Sequence, residues 1–200
     1  NLIRELKQRD AKADFRCWGG DLMQQQGAVI VKHYRELSFM GFTEVLMNLG
    51  TILHNLSFCK KDILNYRPDG VILVDYPGFN LRIAKFLHQN GLPVIYYISP
   101  QVWAWKQSRV RTIRKVVDKM LVILPFEKDF YSGHGVEVEF IGHPLLDALS
   151  GKPFVPVAEK ANRPLVALLP GSRRQEIRAV LPEMLKVIAR FPEVDFIIAG

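Results

Sequence analysis

The chain has 200 residues, 48% of them hydrophobic, and a formal net charge of +7. That length suits one large domain, or one domain and part of a second, and the apolar fraction is ample for a packed core. No run of about 18 uncharged apolar residues marks a spanning helix and no segment reads as a signal peptide. Two cysteines, Cys17 and Cys59, exclude a disulfide framework; they read as lone buried thiols in a reducing compartment. The positive charge favours an anionic partner: nucleic acid, an acidic membrane surface or a phosphorylated substrate.

In chain order, Asn1 to Lys7 opens already in helical rhythm, without a cap or an initiating Met. Phe196 to Gly200 closes on a buried-strand pattern, so both ends read as cuts through a larger protein. Phe15-Arg16-Cys17-Trp18 has the length of a strand. From Phe42 to Cys59 the residues Val45, Leu46, Leu49, Ile52, Leu53 and Leu56 follow the three-four spacing of one helix face. No Lys, Arg, Asp or Glu occurs between Val45 and Cys59. Such a helix is either buried on both sides or turned towards lipid or acyl chains.

Val71 to Val74 is an apolar run without alternation, as are Val94 to Ile98, Met120 to Leu124, Leu165 to Leu169 and Phe196 to Ala199. Strands buried on both faces of a parallel sheet have this pattern. Amphipathic stretches alternate with them, such as Leu81 to Gly91, which ends on a helix C-cap glycine, and Ile177 to Arg190. The alternation predicts an α/β fold with a doubly wound parallel sheet.

Active sites of such sheets lie at the carboxyl ends of the strands. Asp75 stands at one such end, and Pro77 and Gly78 force a turn that opens a helix near Phe79 or Asn80. A carboxylate there can act as a general base, or can cap the helix and bond loop amides. Ser99-Pro100-Gln101-Val102-Trp103-Ala104-Trp105 follows the next strand. Its two tryptophans suit stacking on a sugar, and equally suit core packing. Lys106 to Lys119 then holds six positive charges against one Asp, over about four helical turns. It is a solvated face or an anion-attracting surface.

Gly142-His143-Pro144 follows a further strand, Val138 to Ile141. His143 can bond a phosphate or sugar hydroxyl, or fill a turn. Residues 150–163, with three prolines' worth of breaks around them, read as a linker between a domain at 1–149 and the start of a second at 164–200. After Leu169, Gly171 turns, Ser172 caps and Gln175 completes a capping box beside Arg173 and Arg174. A helix N-terminus with adjacent arginines is a natural phosphate site, although an ordinary capped helix looks the same. No P-loop ending, no dinucleotide-binding glycine pattern and no metal-ligand spacing occurs.

Taken in order, Phe39 to Val45, Val74 to Asn80, Ser99 to Trp105, Leu124 to Glu127, Phe140 to Pro144 and Leu168 to Arg173 resemble the lipid-A-disaccharide synthases. The resemblance implies a glycosyltransferase-B fold, here one α/β domain lacking its first strand plus the beginning of a second. It implies an inverting transferase joining UDP-2,3-diacylglucosamine to 2,3-diacylglucosamine 1-phosphate (lipid X), with release of UDP and no metal or other cofactor. Asp75 and Arg173 match the family's catalytic residues. Asn80, Ser99, Gln101, Trp103, Trp105, His143, Gly171 and Ser172 fall in its substrate-binding stretches. The uncharged helix matches the region that meets acyl chains, through Val45, Leu46, Leu49, Ile52, Leu53 and Leu56. Expected partners are the two lipid substrates, the cytoplasmic face of the inner membrane as a peripheral surface, and a second copy in a full-length homodimer. Nucleic acid is not expected. The 200 residues alone are expected to be inactive. Competing readings are a membrane-docking module and another UDP-sugar enzyme of the same fold.

Overall fold

The computed structural model describes residues 1–36, 49–150, 163–172 and 174–199, with the backbone alone for Leu49. The chain divides into two compact units, Asn1–Leu146 and Asp147–Gly200. The first opens with α1 (Leu2–Arg9), β1 (Arg16–Gly19), α2 (Asp21–Gln25), β2 (Val29–His33) and a single 3₁₀ turn, Tyr34–Glu36. It continues with α3 (Leu49–Tyr66), β3 (Val71–Val74), α4 (Pro77–Gln89), β4 (Val94–Tyr97) and α5 (Arg109–Val116). β5 (Lys119–Val122), α6 (Pro125–Ser132), β6 (Glu139–Phe140) and α7 (Pro144–Leu149) follow.

Strands β3, β4, β5 and β6 form one parallel sheet in chain order, and β1 and β2 form a separate parallel pair. Leu73 faces Tyr96 across β3 and β4, and Tyr96 faces Met120 across β4 and β5. Each neighbouring pair is linked by a helix, as parallel strands require. α4 shows how the sequence builds these links. Pro77 occupies its first turn, and Phe79, Ile83, Ala84 and Leu87 recur at three-four spacing on the buried face. It ends where Gly91 turns left-handed at φ +67°. The Leu92 amide then donates to the Leu87 carbonyl at 3.1 Å and the Gly91 amide to the His88 carbonyl at 3.2 Å. Those two bonds satisfy carbonyls that the helix end would leave open. The core gathers Leu73, Ile83, Leu87, Val94, Tyr96, Ile113, Val122 and Tyr131 between helices and sheet.

Three expectations shift. β2 is an additional strand whose short Val-Ile-Val segment is only partly covered. The basic run makes an eight-residue helix rather than four turns, because Val117 is extended and β5 begins at Lys119. The helical face of 45–56 is also rotated from its expected setting. Leu56 is 7% exposed within the core and Ile52 packs against that core, so neither faces outward. Asn55, a polar residue outside that apolar set, is 2% exposed. The helix must bury a stripe against its neighbour α4, and Ile52, Asn55, Leu56, Cys59 and Ile63 supply it. Leu53, at 57% exposure, faces outward beside exposed Gly50, Thr51, His54 and Ser57. Val45, Leu46 and the Leu49 side chain lie outside the described residues.

A salt bridge ties β1 to α3: the Arg16 Nε lies 3.0 Å from each carboxylate oxygen of Asp62. Cys59 is buried and Cys17 half-buried, both as free thiols. Burial, followed by the charge of Asp62, pushes the Cys59 thiol up to about 12, so it stays protonated and unreactive.

In the second unit, β7 (Leu165–Leu168) pairs in parallel with β8 (Asp195–Ile198) across α8 (Arg174–Ile188). The division between the units falls between Leu146 and Asp147, inside α7 and just ahead of the expected linker. Most of that linker, 151–162, lies outside the described residues. The α/β class with parallel sheets is as the sequence predicts.

Candidate active site

Backbone strain gathers at the carboxyl ends of β3 and β4. Asp75 and Tyr76 both have positive φ, +42° and +44°, and Ile98 has φ +65°. For a β-branched residue this is a true outlier, and each such residue costs on the order of 1–3 kcal/mol. The surrounding bonds impose the shape. The Asp75 amide donates to the Ile98 carbonyl at 3.3 Å. The Asp75 carbonyl accepts from the Tyr96 hydroxyl at 2.6 Å and from Asn80 Nδ2 at 2.7 Å. Asn80 Nδ2 also donates to the Val74 carbonyl at 3.0 Å, which uses both of its amide hydrogens. The Ile98 amide in turn donates to the Leu121 carbonyl at 3.1 Å, joining a third strand end to the group.

The Asp75 backbone is therefore held on both sides, while its side chain is exposed and accepts no hydrogen bond among the described residues. It does not cap α4: the N-cap residue is Tyr76, without a side-chain cap bond. Of the two roles open from sequence, helix capping is not the one this geometry uses. Tyr96 is fully buried, and burial, then the nearby Asp75 charge, holds its phenol far above its ordinary value. It stays a hydrogen-bond donor at any physiological pH.

Beside this group, Ser99 is buried and its hydroxyl is committed. It lies 3.1 Å from the Pro100 carbonyl and shares a hydrogen bond of 2.7 Å with the Tyr131 hydroxyl. Burial pushes the Tyr131 phenol up to about 12, opposed by the Ser99 bond. Glu127, 1% exposed, turns back to accept from the Ile123 and Leu124 amides at 3.2 and 2.9 Å, fixing the end of β5. Tyr96 and Tyr131, which brace these strand ends, are not singled out by the sequence, and Glu127 enters it only as the end of the stretch from Leu124. For Tyr96 the available signal was a tyrosine inside an apolar strand, whose hydroxyl needs a buried partner.

The loop after β4 presents two tryptophans in different ways. Trp103 packs edge-on against Phe126, ring centres 5.0 Å apart, and its buried indole N–H has no hydrogen-bond partner among the described residues. Trp105 is 58% exposed, with Lys106 Nζ 4.7 Å and Arg109 Cζ 5.3 Å from its ring centre. Gln101 is exposed nearby in sequence. After β6, His143 accepts the Leu145 amide on Nδ1 at 3.2 Å, which places its proton on Nε2.

In the second unit, Gly171 has φ +102°, and a Cβ there would lie 2.8 Å from a carboxylate oxygen of Glu176. Glycine is thus required by conformation and by crowding. Ser172 is exposed, and the described part of α8 begins at Arg174. Arg173 lies outside the described residues, as does the stretch from Phe39 to Val45.

The sequence profile of the lipid-A-disaccharide synthetase family matches residues 1–194. Lipid-A-disaccharide synthase of Acidobacterium capsulatum is 43% identical over 191 residues, which are 92% of this chain and 47% of that protein. The Myxococcus xanthus enzyme of the same name is 41% identical, over 94% of this chain and 51% of its own length. The chain thus spans about half the length of these relatives. A solved structure of UDP-GlcNAc 2-epimerase from Neisseria meningitidis, bound to UDP-GlcNAc, shares the fold at 13% identity. Its TM-score is 0.54, over 88% of this chain and 53% of that one. Those folds are of the glycosyltransferase-B type, as the sequence resemblance implies. With a profile running from residue 1 to residue 194 and identities near 40%, the chain belongs to the lipid-A-disaccharide synthetase family.

Proposed function

We propose that this chain is the acceptor-side part of an inverting glycosyltransferase that joins UDP-2,3-diacylglucosamine to lipid X. Asp75 is the general base. One observation carries the reading: a strained, hydrogen-bonded backbone at the end of β3 holds an exposed carboxylate that has no hydrogen-bond partner of its own among the described residues. Strain of this kind is typical of functional sites. The acceptor 6-hydroxyl gives its proton to the Asp75 carboxylate as its oxygen attacks the anomeric carbon. The bond from that carbon to the diphosphate breaks, UDP leaves, and the configuration inverts.

Arg173, by its match to the family motif, steadies negative charge on the departing diphosphate. The exposed, cation-flanked Trp105 is suited to stack on a sugar, and the unpartnered Trp103 N–H to donate to a ligand oxygen. The uncharged first half of α3, where Leu53 is exposed, supports peripheral contact with the cytoplasmic face of the inner membrane. No described helix is long and apolar enough to cross a membrane.

The test uses the full-length protein with both lipid substrates and mass spectrometry of the disaccharide. Asp75→Asn is expected to lower turnover by about 100-fold or more, the usual scale of general-base catalysis. Near-normal product from that variant removes Asp75 as the base.

A further inference from the structure

A groove of about 420 Å³ runs along α5, lined by Gln107, Ser108, Val110, Arg111, Arg114 and His134. Its floor is Val110, which is buried, while Arg111, Arg114 and His134 are exposed. Arg111 and Arg114 are one helical turn apart and so point to the same side. Arg114 reaches over the turn after α6, where its Nη1 lies 3.8 Å from the place a Cβ on Gly135 would take. The His134 ring is held by Phe130, ring centres 4.7 Å apart, and its Nδ1 lies 2.9 Å from the Phe130 carbonyl. That bond fixes the ring at the rim of the groove.

No carboxylate lines the groove, and neither arginine has an ion-pair partner among the described residues. Four like charges on an eight-residue helix, Arg109, Arg111, Arg114 and Lys115, repel one another until an anion compensates them. The groove is distinct from the Asp75 loop. α5 and α6 run back from the carboxyl ends of β4 and β5, so Arg114 and His134 lie towards the amino ends of β5 and β6.

We propose that this groove binds a phosphate group carried by the headgroup of an anionic phospholipid. Two guanidinium forks and a hydroxyl are phosphate-binding chemistry. The volume admits a headgroup rather than a bare ion. The setting points to lipid: α5 packs beside α4, and α4 beside α3, whose uncharged first half carries exposed Leu53. An apolar face and a basic groove on one helical layer suit a bilayer surface. This inference rests on the membrane contact proposed above.

Flotation of the full-length protein with phosphatidylcholine vesicles, with and without phosphatidylglycerol, tests it. Phosphatidylglycerol should strengthen binding, and Arg111→Gln with Arg114→Gln should weaken that binding about thirtyfold, leaving α5 helical by circular dichroism. Added salt should weaken it as well. Leu53→Asp should lower binding to both kinds of vesicle. Equal binding of neutral and anionic vesicles keeps the membrane contact and overturns the headgroup site. Binding to neither overturns both. The imidazole resonance of His134 supplies the second arm. If inorganic phosphate saturates it while phosphatidylglycerol adds nothing to flotation, the groove is a soluble-phosphate site and the lipid assignment fails.

Discussion

The two units carry the same local grammar and reach very different burial. In Asn1–Leu146, four parallel strands and their helices enclose Ile83, Leu87, Val94, Ile113 and Val122 almost completely. In the described part of Asp147–Gly200, Pro170 is the one buried residue, and Leu169 is 68% exposed. A parallel pair with a single helix cannot close a core, whatever its sequence, because each strand face needs a covering layer. Strand and helix formation are thus properties of segments, whereas burial is a property of neighbours. Truncation should expose the contrast most strongly. Leu87→Ala removes side-chain atoms from a closed core and should cost about 2–5 kcal/mol in urea unfolding. Leu185→Ala, on exposed α8, should change stability by about 0.5 kcal/mol or less. Similar losses at both positions break the comparison.

Alkaline titration sharpens it next. Tyr96, Tyr131 and Cys59 all lie in the first unit, and burial raises all three above their ordinary values of 10.0, 10.0 and 9.0. A raised folded value means that the unfolded chain loses its proton first. The stabilisation is complete below the unfolded values. It falls as pH rises from about 9 towards 12, by about 1.4 kcal/mol per pH unit for each group then titrating. Unfolding of the first unit should therefore be alkaline-sensitive and release tyrosinate absorbance with it, and Tyr131→Phe should flatten the slope. A stability curve that stays level from pH 9 to pH 12 contradicts the burial of these groups.

The same distinction explains what could be read from the residues alone. The strand runs, Gly91 at the end of α4, Asp75 at the end of β3 and the parallel α/β class were all visible as local patterns. The rotation of α3 was not, because Ile52 and Leu56 on one side and Leu53 on another are equally apolar. Their division depends on where α4 lies. Nor could Val166 and Ile198 be seen as exposed, since their continuous apolar runs match strands with cover on both faces. The clamp around Asp75 was hidden for a related reason: Tyr96 is 21 residues away and meets its carbonyl across the sheet. The Asn80 amide, five residues on, was visible as a polar group but not as a bond to the loop it follows.

That clamp allows a finer test within the first unit. Asn80→Ala removes two donors from the strained turn and should cost about 1–2 kcal/mol, read by denaturation. Tyr96→Phe is the smaller change, since the ring stays in the core and one hydroxyl is lost. Its expected cost is about 1 kcal/mol, mostly from leaving the Asp75 carbonyl with one donor instead of two. Stability and turnover then separate two meanings of the bond. If Tyr96 only fills the core, full-length Tyr96→Phe loses stability and keeps its kcat. If its hydroxyl positions the base, kcat falls well beyond the change in folded fraction while KM for the donor stays level, because the strained turn relaxes and Asp75 loses its aim at the acceptor. An unchanged kcat would leave Asn80 and Ile98 to hold the turn and confine Tyr96 to packing.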